Sequence, residues 1–205
     1  EHRELLDSYI HKTEHLPQEE FSYHRLYALA WQFAFQAYTF CNADFGIWNE
    51  IKVLIKRYSY LTFQISSIEV LSWALNYMVW IRYRVNFYQE FYGEMDWIVD
   101  HIESLAKHKN PILMKYIALR VYPLLLVSCR DDKELAERRK VLPIIARYDV
   151  HTDSRASTKL VNFYTTYGSA ETALETVRKH QNLQKHTGNI DFGTYFEACS
   201  QLLAP

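Results

Sequence analysis

Ala28-Leu29-Ala30-Trp31-Gln32-Phe33-Ala34 and Val70-Leu71-Ser72-Trp73-Ala74-Leu75-Asn76 are the segments on which the fold is read. Each sets apolar residues three and four apart around a tryptophan, the spacing of an amphipathic α-helix. They align at an offset of 42 residues, and the same offset pairs Ile55 with Trp97. A third register is weaker: Leu113 matches Leu71, but Lys115 stands in the place of the tryptophan. A period of this size implies one helix–turn–helix unit per repeat, and such a unit buries its apolar face only by stacking on neighbours. The expected fold is therefore all-α, an α-solenoid-like array of helical hairpins. Trp31 and Trp73 are expected at equivalent positions in successive hairpins, both largely buried. Residues 1–150 are assigned to hairpin repeats of about 42 residues, and 151–205 to C-terminal helices of the same continuous stack.

Composition agrees with that reading. The 205 residues include only 5 Gly and 5 Pro, too few for the many tight turns of an all-β design. Sixteen Tyr, 11 Phe and 5 Trp supply large rings, which fill a helical core or furnish a partner-binding face. The net charge of −1 is no basic footprint, so any nucleic-acid contact is expected to be a local patch. Cys41, Cys129 and Cys199 are far apart and form no C-x-x-C pair, which points to free, buried thiols in a reducing compartment. The apolar run Val121–Cys129 is too short to span a membrane. The chain starts at Glu1 and is expected to be part of a longer or processed protein.

Helix boundaries follow from caps and breakers. Pro17 ends a first amphipathic stretch that carries Leu5, Leu6, Tyr9 and Ile10. Leu26, Leu29, Ala30, Phe33, Ala34 and Ala37 trace the next helix, and Asn42–Asp44 breaks and caps before Ile47, Ile51, Leu54 and Ile55. Ser66-Ser67-Ile68-Glu69 reads as a capping box opening a helix through Trp73. Phe87, Phe91, Met95, Ile98 and Ile102 mark another, with Gly93 at a cost of about 1 kcal/mol against Ala. Asn110-Pro111 restarts the chain, Pro123 and Pro143 interrupt it, and Asp131-Asp132-Lys133-Glu134 sets acids at a helix start. Gly168 is read as a left-handed cap ending Ser157–Tyr167. Ser169–Gln181, a loop at Gln184–Asn189 and a last helix at Asp191–Leu203 complete the chain.

Leu71-Ser72-Trp73-Ala74-Leu75, preceded by Ser67-Ile68-Glu69, resembles the leucine–tryptophan–alanine core of octotricopeptide and FAST-kinase-like helical repeats. Leu160, Tyr164, Gly168 and Ala173-Leu174 resemble a pentatricopeptide repeat, and Asp191-Phe192-Gly193-Thr194-Tyr195 the D-x-x-T-Y opening of a following unit. The resemblance covers about 90 residues in two places. It implies work on organellar RNA or within mitochondrial ribosomes, hence a mitochondrial location, with a cytoplasmic one otherwise. Lys159 and Glu197 occupy the positions at which pentatricopeptide repeats select a base, so the resemblance implies the shape without the base code.

Catalytic chemistry is not indicated. G-x-S-x-G, G-x-x-x-x-G-K-[ST] and G-x-G-x-x-G are all missing from the sequence. His11 and His15 share a helix face with Glu14 nearby, but a third ligand at metal-site spacing is lacking, and exposed polar positions are the expected reading. No cofactor or metal is expected. Two basic groups are candidate RNA or partner contacts: Arg138-Arg139-Lys140, with Lys133 and Arg147, and Arg82 and Arg84 flanking Tyr83 beside Phe87 and Tyr88. The first group alternates with Asp131, Asp132, Glu134 and Glu137, which a solvated ion-paired face would also produce. The expected role is a non-catalytic scaffold or RNA-associated subunit of an organellar ribonucleoprotein, in contact with other protein subunits. The alternative is a tetratricopeptide-like adaptor that touches no RNA.

Overall fold

The computed structural model describes residues 2–40, 44–82, 88–129, 131–150 and 153–187. These residues are all-α, with no strand among them. They fall into two compact units, residues 1–113 and 114–205.

The first unit holds α1 (His2–Thr13), α2 (Gln18–Phe40), α3 (Phe45–Arg57), α4 (Leu61–Arg82) and α5 (Tyr88–Lys107). Helix α2 packs against α1, α3 and α4, and α4 packs against α5. The apolar stripe of α2 is buried as expected, from Leu26 through Phe33 to Ala37. Also buried are Ile47, Trp48, Ile51 and Ile55 of α3, Phe63, Ile68, Leu71, Leu75 and Met78 of α4, and Met95, Ile98 and Ile102 of α5. Asp44 caps α3 as expected, its carboxylate accepting from the N–H groups of Gly46 and Ile47. Leu5 and Tyr9 of α1 are exposed.

The capping box is not where the sequence placed it. Helix α4 begins at Leu61, and Ser66 and Ser67 lie inside it. Their hydroxyls donate backwards, to the carbonyls of Thr62 at 3.0 Å and Phe63 at 2.8 Å. The buried Phe63 ring anchors the turn before them, and a serine inside a helix bonds the carbonyl four residues back instead of capping. Gly93 sits within α5 with open space where a Cβ would stand, so packing does not require a glycine there.

The second unit continues α6 (Pro111–Tyr116), which straddles the division, through a π-turn at Ile117–Val121 into α7 (Tyr122–Val127). Asn110 caps α6 through the N–H groups of Ile112 and Leu113. Pro123 has no N–H to donate, and the helix shifts register just before it: the N–H of Tyr122 reaches back five residues to Ile117. Then follow α8 (Asp132–Arg138), a 3-10 turn at Arg139–Val141, α9 (Leu142–Ile145), α10 (Ser154–Tyr167) and α11 (Ala170–Thr187). Asp131 caps α8, and Asp153 caps α10 while its second oxygen pairs with Arg120 at 2.8 Å. Buried Cys129 turns its thiol to the carbonyls of Leu125 and Leu126.

Helices α10 and α11 form a tight pair across Gly168-Ser169, with Tyr164 packed on Val161, Ala173 and Val177. Two expectations change here. Gly168 is not left-handed, since its φ is −122°. The glycine is needed for close approach instead, because a Cβ would lie 3.0 Å from the Tyr164 carbonyl oxygen. Helix α11 also runs on to Thr187, through part of the expected loop, since no breaker precedes Gly188. Cys41, Cys199, Arg84, Glu197 and the expected helix at 191–203 lie outside the described residues, as does the side chain of Arg82.

Candidate functional site

Helix α2 carries two stripes. One is the buried apolar row, and the other places Tyr23, Tyr27, Trp31 and Phe35 four residues apart along a different side. Tyr23, Trp31 and Phe35 are exposed large hydrophobics, Trp31 at 60%. Helix α4 adds half-buried Trp73, whose ring meets Tyr27 and Trp31 edge-on at centroid distances of 5.9 and 5.7 Å. Tyr23 and Tyr27 lie 4.9 Å apart, and Tyr9 of α1 extends the row through the His24 ring. The Tyr27 hydroxyl donates to the Glu69 carboxylate at 3.1 Å. Burial, and then the Glu69 charge, push the Tyr27 phenol well above its ordinary pKa, so it stays an O–H donor.

The offset of 42 has a physical meaning in this unit. Tyr27–Glu69 and Trp31–Trp73 are contacts at that separation, and so is Lys52–Glu94 between α3 and α5. Two helices that touch at a constant offset run alongside in the same direction, so α2 lies parallel to α4. Trp31 and Trp73 face each other across α2 and α4, but the expectation that both are largely buried is corrected for Trp31. Trp31 is solvent-exposed and Trp73 half-buried, because the stripe bearing them is not the one that α2 turns to its core.

Among the described residues the buried tryptophan is Trp48, fully enclosed on α3. Its ring meets Phe33 at 5.7 Å and Trp97 at 5.8 Å, and its indole N–H donates to Glu94 at 2.6 Å. The Lys52 ammonium pairs with the same carboxylate at 2.7 Å and lies near both indoles. Lys56 approaches Trp97, and His101 stacks on Trp97 at 5.4 Å. Burial, then the Lys56 charge, lower the His101 pKa, so folding favours the neutral imidazole. The unfolded chain binds this proton below about 6.5, whereas the folded chain resists it until lower pH. The contribution to stability is therefore complete above that value and is lost as pH falls through the folded pKa. Urea midpoints of the native chain should drop in the weakly acidic range, and His101→Gln should flatten that part of the profile; identical profiles would refute the assignment.

Arg138, Arg139 and Lys140 do not form one open patch. Arg138 turns inward: its guanidinium donates to the Leu125 carbonyl at 2.8 Å and the Ser128 hydroxyl at 2.7 Å, and it pairs with Glu134. Arg139 donates to the Tyr167 carbonyl at the end of α10, and Lys140 is exposed. The alternation with acids noted in sequence is thus partly an ion pair of the fold. At the chain start, His11 pairs with Glu14 at 3.0 Å on the surface, and no group of three metal-ligating side chains occurs among the described residues. No described helix is long and apolar enough to cross a membrane.

The ring face went unrecognised in sequence because the L-x-W pattern was read as core. The signal was present, as aromatics at 23, 27, 31 and 35 stand apart from the apolar stripe of the same helix. Comparison of the chain with protein-family models, curated proteins and solved structures finds no match.

Proposed function

We propose that this chain is a non-catalytic helical-repeat scaffold that holds other protein subunits of a larger assembly. The exposed rings of Tyr23 and Trp31, continued by half-buried Tyr27 and Trp73, carry this reading. Large rings at the surface give up burial that a fold would otherwise use, and contiguous exposed apolar surface marks interaction sites. The α-solenoid-like array of hairpins is supported by the parallel pairing of α2 with α4 at the repeat offset. The setting implied by the resemblance is a mitochondrial ribonucleoprotein. Direct RNA contact is the second role, supported by exposed Arg139 and Lys140. Protein contact stands first because Arg138 already serves the fold.

The test is isolation of the native complex before and after nuclease treatment. A scaffold keeps its protein subunits once RNA is digested, and Trp31→Ala releases them. Release of the subunits by nuclease alone, with no effect of Trp31→Ala, would reverse the order of the two roles.

A further inference from the structure

We propose that the ring face of α2 and α4 docks an arginine-bearing segment of a partner protein, the guanidinium lying on the indole of Trp31 and pairing with Glu69. The proposal rests on the scaffold reading above and specifies its partner. Charge complementarity carries it. The face consists of electron-rich rings with a carboxylate among them: Glu69 lies one helical turn before Trp73 on α4 and is half-buried beside Tyr27. Exposed Glu20 lies one turn before Tyr23 on α2. Among the described side chains of α2 and α4 the one Lys or Arg is Arg25, and it pairs with Glu50 of α3.

A ring face of this kind attracts cations through its quadrupole. A guanidinium suits it better than an ammonium: its plane stacks on an indole while its edge presents a fork to a carboxylate. Bases also stack on rings, but the phosphates they bring need cations, and this face offers a carboxylate instead. A second copy of the chain would bring the same carboxylates against each other.

The probe is a decapeptide alternating arginine and glycine, titrated into the full chain at about 0.15 M salt and followed by tryptophan fluorescence. Its companions are the same peptide with lysine or glutamine for arginine, and oligouridylate. Binding is expected in the order arginine, lysine, glutamine. Trp31→Ala and Glu69→Gln are each expected to weaken the arginine peptide by roughly 3- to 30-fold. Both keep the fold, since one removes an exposed ring and the other preserves shape, and circular dichroism verifies this. Equal binding of the arginine and glutamine peptides overturns the proposal, as does arginine binding that ignores both substitutions. Oligouridylate binding that is lost with Trp31→Ala overturns it in favour of RNA, and self-association lost with Trp31→Ala does so in favour of a second copy. If the peptides fail while Trp31→Ala still strips subunits from the native complex, the cationic partner is wrong and the scaffold reading survives. If Trp31→Ala leaves the native complex whole, the scaffold reading of this face is what fails.

Discussion

Replacing Trp48 by alanine is expected to destabilise the first unit by about 3–5 kcal/mol, the usual cost of emptying a large aromatic core site. Trp48 is fully buried, and its ring fills the space between Phe33 and Trp97. The substitution also takes the indole N–H from Glu94, a carboxylate whose side chain is only 21% exposed. Trp31→Ala should cost less than about 1 kcal/mol, because that ring already faces solvent. Trp73→Ala should fall between the two, since it loses ring-edge contacts but little enclosed volume. Urea denaturation of the three variants, followed by far-ultraviolet circular dichroism, checks the order. Equal midpoints for Trp48→Ala and Trp31→Ala would contradict the assignment of core and surface.

Arg138→Ala should destabilise the second unit by about 3 kcal/mol, the scale for breaking a buried, hydrogen-bonded ion pair from one side. The side chains of Arg138 and Glu134 are 11% and 14% exposed. The guanidinium joins α8 to the end of α7, where the carbonyl of Leu125 and the hydroxyl of Ser128 accept from it. Arg138→Lys should recover only part of the loss, since an ammonium lacks the planar fork that serves three acceptors at once. Lys140→Ala, at an exposed position, should leave the midpoint within about 0.5 kcal/mol. If Arg138→Ala were as stable as the native chain yet lost RNA affinity, the inward role would be wrong and the surface role right. Charge reversal across all three basic residues cannot separate those roles, because it removes a support of the fold along with the surface charge.

Much of the architecture follows from local rules. Helical spacing placed the buried stripe of α2, Ile47, Ile51 and Ile55 of α3 and Met95, Ile98 and Ile102 of α5, since a period of 3.6 residues is a property of the backbone. Asp44, Asn110 and Asp131 cap helices because a short acceptor side chain reaches the unpaired N–H groups of the first turn in any context. Pro123 disturbs its helix because the missing donor is covalent.

What remained undetermined were choices between faces and between partners. Helix α2 has two apolar sides, and composition alone could not say which one meets a neighbour; packing on α3 and α4 buried Phe33 and left Trp31 in solvent. Ser66-Ser67-Ile68-Glu69 has the residues of a cap, but the buried Phe63 carries α4 back to Leu61 and makes those serines interior. Arg138 looked like its neighbours Arg139 and Lys140 until α8 met the end of α7 and drew the guanidinium to acceptors four, ten and thirteen residues away. The sequence by itself determined an all-α chain, the helix starts at Asp44, Asn110 and Asp131, though not the one at Asp153, and which residues are able to be core. Tertiary structure alone decided which rings and which cations are exposed, because exposure depends on what lies across the interface, and no local rule contains that.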